Sequence, residues 1–541
     1  MKRRSIVPSL AVGMSIVIAV AVMVPRLMDP HFGLLDDGAT IETARRIAAG
    51  DWITWDIQGG RFRPAYWAFW LVLYLIGGES PLAFFLGSTF LLAAVSVLVT
   101  TLLGLWTRRW WMGLLASVIL VLSPPSVELY YTLSKGEGLQ VFWILLALLL
   151  ITLFSRRKGR NFTALSIVFA AVSMLLACLS KETGVIILPL SVAGLLLALL
   201  SERRSFRWRL SNPYVQAVLS ATTAFVVFFL VRILILQFTI VDSAGYASNY
   251  AIDLRVLAVS AYRWAGLLLS DFPYLLILLP ALFLIWKNLS RSNKHVLLTA
   301  LLWFAAWVGI FLPWDGITVY FQYPAAVGLA VVTAITLTEM PGAIMRASTG
   351  LRIVVAAAGI GLLLFLAGSI GNAWTDARVQ LAVDRVNADA LAVVARTTPE
   401  DGQVYVNIQD PNEYTYEIPI HLDVFYGRSD IRVETVRMDD FPPVDSQGAI
   451  VLAPYMHNAP VLTIRTGIVE PYIGQWDDAL EEALPLSVET VAEVGVEADL
   501  FSFKLPQLLC GFVHAETYCR GEPRALDMLD FAVGWRVLRL P

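Results

Sequence analysis

Two adjacent carboxylates, Asp36 and Asp37, follow the first long apolar segment of the chain, in the stretch LLDDGATIETARRIAAGDWI (34–53). A carboxylate that faces a water-accessible cavity can accept the proton of an attacking hydroxyl group. Asp37 could instead cap a helix over 38–49, which would end at Gly50. That structural alternative explains one aspartate and leaves its neighbour unexplained. We therefore interpret the pair as candidate catalytic residues.

Further ionisable residues lie in short polar stretches between apolar segments. The cations and carboxylates singled out there are Arg61, Arg63, Lys135, Glu137, Lys181 and Glu182, with Glu128 and Asp315 in similar loops. Arginine and lysine can neutralise a phosphate, including one that leaves with growing negative charge. Structural alternatives stay open for each: interfacial anchors for the arginines, and ordinary loop charges or an ion pair in a tight turn for the others.

The composition indicates the environment in which these residues act. The chain has 541 residues, of which 57% are hydrophobic and 15% charged, and its mean hydropathy is +0.67. Soluble domains carry about 25% charged residues, so we predict a polytopic membrane protein. The net charge of −3 gives no reason to expect a nucleic-acid partner. Three cysteines are too few for a disulfide scaffold, although Cys510 and Cys519 could pair in an oxidising compartment.

The hydropathy pattern predicts about eleven transmembrane helices, because each needs roughly 20 apolar residues. The predicted spans are 6–26, 81–106, 111–126, 139–155, 163–180, 184–200, 214–236, 272–287, 296–312, 320–338 and 352–371. Segments 64–77 and 256–270 are assigned to the surface, because the basic linkers then all fall on one side. The aromatic residues of 64–77 suit an interfacial helix. The start MKRR, with its apolar body, predicts an uncleaved signal anchor and a cytoplasmic N-terminus.

The composition changes near residue 372, where the chain becomes polar. Strand-like runs (GQVYVNI, IRVETVRM, GAIVLAPY and GWRVLRL) occur there among helix-like stretches (DARVQLAVDRVNADALAVVAR and DDALEEAL). Alternation of this kind is typical of a small α/β domain. We expect a transmembrane catalytic domain over 1–371 and an extracytoplasmic α/β domain over 372–541. In this topology the candidate residues all face the outer side of the membrane.

The combination of groups favours one chemistry. A carboxylate base, a cationic phosphate site and an interfacial aromatic helix that could receive a lipid tail together suggest transfer of a group from a lipid-phosphate donor. Neither a Walker motif nor a suitably placed GxGxxG turn supports a soluble nucleotide donor. The motifs Gly-x-Ser-x-Gly and HExxH are also absent, and five histidines leave little for a zinc site.

The first outer loop also resembles that of a known superfamily. The run DDGATIETARRIAAGDW, followed by RFRPAYWAFWLVLYLIGGESPLAFFLG, is similar to the corresponding loop of the GT-C integral-membrane glycosyltransferases. That superfamily includes protein O-mannosyltransferases and the aminoarabinose transferases that modify lipid A. Asp36-Asp37 match its acidic pair, Arg63-Pro64 its basic-proline step, GGESP (77–81) its turn, and SKET (180–183) a mannosyltransferase-like motif. The usual second proline is Ala65 here, and the resemblance covers about the first 185 residues.

The resemblance implies an inverting enzyme that takes a sugar from a polyprenyl phosphate and acts on the periplasmic or luminal side. It implies Asp36 as the general base and Asp37 as a supporting or metal-binding carboxylate. The candidates for binding the donor phosphate are Arg61, Arg63, Lys135 and Lys181, with Glu137 and Glu182 as supporting carboxylates. Members differ in whether they need a divalent cation, so a metal stays an open possibility. The acceptor would be a glycan, a lipid or a protein.

Three alternatives remain. One is a structural or assembly subunit with a degenerate fold, against which the presence of both aspartates argues. A transporter or flippase for lipid-linked glycans would place charges along a path through the midplane and often contain internal repeats, whereas here the charges gather at one face. An oligosaccharide ligase would differ in donor size rather than in architecture. The low lysine and high arginine content suggests a GC-rich bacterial source. We therefore expect the bacterial plasma membrane as the location.

Overall fold

The computed structural model describes residues 6–34, 36–51, 54–58, 60–157, 160–201, 208–236, 253–314, 319–407, 416–436, 448–454, 488–503 and 526–540. Four sequence-based predictions fall outside these described residues: the candidate Asp315, the stretch DDALEEAL, and the two cysteines Cys510 and Cys519.

Helices dominate the described part of the chain. The first nine are α1 (Val7–Met28), α2 (Asp37–Ala48), α3 (Thr54–Gln58), α4 (Pro64–Gly77), α5 (Pro81–Thr107), α6 (Trp110–Val121), α7 (Pro124–Tyr131), α8 (Glu137–Ser155) and α9 (Arg160–Ser180). The others are α10 (Ile187–Ser201), α11 (Pro213–Leu236), α12 (Leu254–Asp271), α13 (Leu275–Ile285), α14 (Arg291–Phe311), α15 (Tyr323–Arg346), α16 (Thr349–Thr397) and α17 (Glu417–Tyr426).

The prediction of a polytopic helical membrane protein is confirmed. Among the described residues, 9 helices are long and apolar enough to cross a membrane, or up to 11 spans if each of two bent helix pairs counts as one. The bent pairs are α6 with α7, at 64°, and α12 with α13, at 83°. The predicted count of eleven corresponds to the second way of counting. Segment 256–270, assigned to the surface from sequence, forms most of α12.

The juxtamembrane helix α4 is short and apolar, as its sequence predicts. Pro64 stands at its first turn, where the missing N–H group costs nothing. The helix ends before Gly78, whose φ of 59° lies in the left-handed region that glycine tolerates. Its aromatic side chains, including Trp67 and Trp70, are buried in one cluster with Phe84 of α5 and Ile41 of α2. This packing holds α2 and α4 together at one end of the helix bundle.

The long helix α16 joins the bundle to the C-terminal part of the chain. It has 49 residues and crosses the predicted domain boundary at 371/372 without a break. Its C-terminal half buries Val386, Leu391 and Val394 in a second apolar core. The division at 371/372 stays a prediction, since one helix belongs to both parts.

The second core lies between α16, α17 and a mixed sheet of five strands. The strands are β1 (Gln403–Asn407), β2 (Arg432–Val436), β3 (Ile450–Pro454), β4 (Glu489–Phe503) and β5 (Leu526–Arg539), in the order β2-β1-β3-β5-β4. β1 pairs parallel with β2 and β3, whereas β5 pairs antiparallel with β3 and β4. The predicted α/β character is thereby confirmed, and the four strand-like runs all contribute to strands.

Candidate functional site

The acidic turn, Asp36 and Asp37, lies where the chain enters α2. Asp36 is half-buried and has a φ of 64°, in the left-handed region. Among residues other than glycine, aspartate and asparagine adopt this conformation most readily. The backbone carbonyl of Asp36 accepts hydrogen bonds from the N–H (3.0 Å) and the hydroxyl (2.7 Å) of Thr40. Its carboxylate accepts a hydrogen bond from the hydroxyl of Tyr416, a residue of the C-terminal part of the chain. Backbone strain of this kind is concentrated at functional sites.

Asp37 occupies a different environment, although it is the adjacent residue. Its side chain is fully buried and accepts hydrogen bonds from the backbone N–H groups of Leu133 (2.8 Å) and Gly33 (3.0 Å). Burial and the nearby carboxylate of Asp384 raise the pKa of Asp37 to about 7, although the two N–H groups and Arg26 oppose that rise. Asp37 is the first residue of α2 rather than its cap. It ties two loops to α2 and does not face water.

A residue from α17 caps α2. The carboxylate of Glu417 accepts hydrogen bonds from the backbone N–H groups of Gly38 (2.8 Å) and Ala39 (3.1 Å). These N–H groups have no partner within the helix, and the positive end of the helix dipole favours a carboxylate there. Arg45 of α2 also forms an ion pair with Asp423 of α17, at 2.6 Å. The C-terminal part of the chain therefore holds the acidic turn from outside the membrane bundle.

Arg63 and Arg61 are held by Asp56, a carboxylate that the sequence-based reasoning did not select. Asp56 is fully buried, and its oxygens accept hydrogen bonds from Arg63 at 2.6 and 3.3 Å and from the indole N–H of Trp67 at 3.0 Å. The Nε of Arg61 lies 3.8 Å from the same carboxylate. Asp56 thus fixes the direction of two guanidinium groups at the start of α4.

Lys135, Lys181 and Arg232 bring further positive charge to this region. Lys181 forms an ion pair with the buried Glu137, while Nη1 of Arg232 lies 3.7 Å from Glu182. Arg232 also donates a hydrogen bond of 2.9 Å to the carbonyl of Gly60 in the loop that carries Arg61 and Arg63.

Two aromatic rings cover the lysines. The Nζ atom of Lys135 lies 4.6 Å from the centre of the Tyr320 ring, and that of Lys181 lies 4.7 Å from the centre of the Phe321 ring. An aromatic face attracts an ammonium group through its quadrupole. The two rings therefore hold both lysines without neutralising their charge.

Several cations therefore lie close together in the described part of the chain. We call Arg61, Arg63, Lys135, Lys181 and Arg232 the cationic cluster; ion pairs join four of them to Asp56, Glu137 and Glu182. Tyr66 links this cluster to the acidic turn: its side chain is buried in one apolar cluster with Ile41 of α2, and its ring lies 5.1 Å from the guanidinium of Arg63. The structure therefore brings the predicted catalytic pair, the predicted phosphate-binding cations and the supporting carboxylates Glu137 and Glu182 to the same end of the bundle. Guanidinium and ammonium groups gathered in this way can bind a phosphate.

The acidic turn does not suit a divalent cation shared between its two aspartates. Both oxygens of Asp37 already accept backbone hydrogen bonds, and its side chain is buried, whereas Asp36 is directed toward Tyr416. Among the described residues, no three His, Cys, Asp or Glu side chains converge as metal ligands. We therefore derive no step through a metal.

Several residues of this region escaped the sequence-based reasoning. Arg26 and Asp384 form a buried ion pair at 2.6 Å next to Asp37, and they are 358 positions apart. Arg26 and Arg232 each interrupt an apolar run, a signal that could have identified them, because a charge in a membrane segment is expensive and usually paired. No comparable local signal marks Tyr416 or Glu417.

Comparisons with known proteins address the fold. No protein-family model matches the chain, nor does any curated protein. The structure of ArnT from Cupriavidus metallidurans in the apo state aligns with a TM-score of 0.50 and 15% identity, covering 90% of this chain and 95% of ArnT. The same protein bound to undecaprenyl phosphate gives a TM-score of 0.49, with 15% identity over 90% of this chain and 96% of that one. The Archaeoglobus fulgidus oligosaccharyltransferase in the apo form gives 0.43, with 13% identity over 82% and 65%. The match to apo ArnT shows a shared fold, and the predicted GT-C fold is confirmed.

Proposed function

Because the chain has the fold of ArnT, we propose that it is a membrane glycosyltransferase that moves a sugar from a polyprenyl-phosphate donor to an extracytoplasmic acceptor. One observation carries this proposal: a half-buried carboxylate in a strained turn, Asp36, stands at the same end of the bundle as the cationic cluster. A base for the acceptor and a site for the leaving phosphate are the two requirements of such a transfer.

The proposed reaction is a single displacement at the anomeric carbon of the donor sugar. The acceptor oxygen forms a bond to that carbon while the bond between the carbon and the phosphate oxygen breaks. The proton of the acceptor hydroxyl goes to the carboxylate of Asp36, which acts as general base. The polyprenyl phosphate departs with the electron pair, and the sugar changes its anomeric configuration.

The cationic cluster would stabilise the charge that grows on the leaving phosphate. Fixed cations in a partly buried site are worth more than the same charges in water, and they need no reorganisation as the bond breaks. The guanidinium of Arg63 is held in place by two hydrogen bonds to Asp56. Lys135 and Lys181 are held by the rings of Tyr320 and Phe321. Cations that are already in position would stabilise the leaving phosphate more than the intact donor.

The other residues of the acidic turn would position the base. Asp37 ties α2 to two neighbouring loops, and Glu417 caps the same helix. We assign both to positioning rather than to proton transfer. The membrane orientation that places this site outside the cytoplasm, with a cytoplasmic N-terminus and a plasma-membrane location, belongs to the same proposal. The acceptor classes are a glycan, a lipid or a protein.

The test uses the full chain in proteoliposomes that are supplied with one undecaprenyl-phosphate sugar at a time. Membrane glycans, lipids and proteins serve as separate acceptor pools. We expect consumption of one donor, release of an equal amount of undecaprenyl phosphate, and a product of inverted anomeric configuration by NMR. If the donor crossed the bilayer uncleaved, the result would contradict the transferase and support a flippase. Consumption with retained configuration would contradict the single displacement.

A further inference from the structure

A cavity lies at the end of the bundle opposite the acidic turn. It has a volume of about 990 Å³ and is lined by residues of α5, α8, α9, α10, α11 and α14, together with the junction after α5. Helix α8 shows the separation of the two regions: it begins at Glu137, beside the cationic cluster, and ends at Ser155, at the rim of this cavity. The volume lies at the upper end of the range for small-molecule sites, about 300–1,000 Å³.

The lining of this cavity changes in character from its inner end to its rim. The inner part is apolar and includes Ile144, Leu148, Met174, Ile187, Leu190 and Trp303. The rim is basic and carries Arg108, Arg156, Arg291 and Lys294, with Tyr214 hydrogen-bonded to His295 beside them. Among the described residues that line the cavity, none is an aspartate or a glutamate.

The depth of the cavity corresponds to one leaflet of a bilayer. On α8 the lining extends from Ser155 to Ile144, a distance of about 16 Å at the rise of an α-helix. On α14 it extends from Arg291 to Trp303, or about 18 Å by the same rise. The hydrocarbon core of a bilayer is about 30 Å thick. A molecule that fills the cavity would therefore reach from the surface at that end to the midplane.

The rim is structured by specific contacts. Arg156 donates a hydrogen bond of 2.9 Å to the carbonyl of Leu105, and the ammonium of Lys294 lies 5.6 Å from the centre of the Trp286 ring. The indole N–H of Trp106 donates to the hydroxyl of Thr152 at 3.1 Å. Arg156 and Lys294 are thus positioned by a carbonyl oxygen and an aromatic ring, contacts that keep their positive charge. An anionic group is the partner that this rim suits electrostatically.

We propose that this cavity binds an anionic lipid with a phosphate head group, drawn from the leaflet at that end of the bundle. The chain of the lipid would occupy the apolar part, and the phosphate would lie among the basic residues of the rim. A soluble anion would not use the apolar depth, and an uncharged or zwitterionic lipid would not use four cations. A bulk anionic phospholipid and a polyprenyl phosphate share the required chemistry.

Native mass spectrometry of the full chain in detergent tests this binding directly. The probes are phosphatidylglycerol, phosphatidylcholine with the same acyl chains, undecaprenyl phosphate, and inorganic phosphate as a competitor. We expect phosphatidylglycerol to bind at least tenfold more tightly than phosphatidylcholine. If an equal amount of undecaprenyl phosphate displaces phosphatidylglycerol, the polyprenyl phosphate is the preferred ligand. If phosphatidylglycerol stays bound, the bulk phospholipid is the preferred ligand.

Two variants with matched controls locate the binding. Gly194→Leu places a side chain in the cavity, since a Cβ at this position would meet nothing within 4 Å, and Gly309→Leu adds the same side chain outside the cavity. Arg156→Gln with Lys294→Gln removes rim charge, whereas Arg157→Gln with Lys287→Gln removes charge at the same end of the bundle but away from the lining.

We expect about tenfold weaker binding of phosphatidylglycerol for the cavity variants and no change for their controls. Equal affinities for the anionic and zwitterionic lipids, or unaltered binding by Gly194→Leu, would overturn the proposal. Binding of inorganic phosphate without either lipid would overturn it as well. None of these outcomes depends on sugar transfer, so the result is separate from that of the proposed function.

Discussion

The carboxylate of Glu417 accepts a hydrogen bond of 2.8 Å from the backbone N–H of Gly38, a residue 379 positions earlier in the chain. There is no room for a side chain at Gly38, because a Cβ there would lie 2.7 Å from that carboxylate oxygen and 2.6 Å from the ring of His421. The glycine after the two aspartates is therefore what allows α17 to reach the start of α2. Through this contact the C-terminal part of the chain supports the proposed reactive carboxylate.

Replacing Glu417 by alanine should loosen the start of α2. The change removes both acceptor bonds to the helix N-terminus, a loss of about 1–2 kcal/mol for a capping group. We expect faster hydrogen exchange at the amides of Gly38 and Ala39 and slower sugar transfer. Glu497→Ala, which truncates an exposed glutamate on β4, is the matched control. Unchanged exchange at the two amides would show that the cap does not stabilise the turn.

Asp37→Asn should destabilise the protein more than Asp36→Asn. Each oxygen of the Asp37 carboxyl group accepts a hydrogen bond from a backbone N–H, whereas an amide has only one oxygen, so one buried donor loses its acceptor. Such a loss costs about 1–3 kcal/mol. At position 36 asparagine also adopts the left-handed backbone conformation, so Asp36→Asn should be about as stable as the wild type. Apparent unfolding temperatures in detergent at pH 5 compare the two; equal values would contradict the structural role of Asp37.

The buried carboxyl of Asp37 should also make stability depend on pH. Burial and Asp384 raise its pKa from 3.8 to about 7, so the folded protein binds one more proton than the unfolded chain between these values. Stability should therefore fall as the pH rises from about 4 to about 7 and level off above, by on the order of 4 kcal/mol in all. Wild type should lose more stability than Asp37→Asn between pH 5 and pH 8. Parallel losses in the two proteins would argue against the raised pKa.

Lys135→Gln should weaken donor binding while the protein stays folded. Its ammonium lies over the ring of Tyr320 and donates a hydrogen bond of 2.8 Å to the hydroxyl of Ser134, and the amide of glutamine can also donate a hydrogen bond. We expect KM for the polyprenyl-phosphate sugar to rise by about tenfold, as for the loss of one charge-assisted contact. Arg46→Gln, on the exposed side of α2, should leave KM unchanged. A lower kcat at constant KM would move Lys135 from donor binding to the chemical step.

The membrane helices were predictable because their signal is local. A run of about 20 apolar residues satisfies its own backbone hydrogen bonds within one helix and needs no distant partner to be recognised. The same holds for α4, whose Pro64 start and aromatic residues indicate a short interfacial helix. The runs that became β1, β2 and β3 are rich in Val, Ile and Tyr, the residues that favour strands.

The parts that escaped prediction depend on contacts between distant residues. Helix α17 has 10 residues in a polar stretch, and nothing in EIPIHLDVFYG shows that Glu417 would cap a helix near the N-terminus. Asp56 is one of two aspartates between α2 and α4, and only folding reveals that it is buried and binds Arg63. The predicted acidic pair itself divides into two environments that sequence could not separate, one half-buried and one fully buried.

The most direct test of the account measures donor binding and sugar transfer by Asp36→Asn in proteoliposomes at pH 7.5. Asp51→Asn, which changes an exposed carboxylate beyond the end of α2, is the control. Loss of a general base slows a reaction by about 100-fold or more. We therefore predict that Asp36→Asn transfers sugar at least about 100-fold more slowly than the wild type but binds the donor equally well. Asp51→Asn should behave as the wild type. Transfer at the wild-type rate by Asp36→Asn would contradict the assignment of Asp36 as the base.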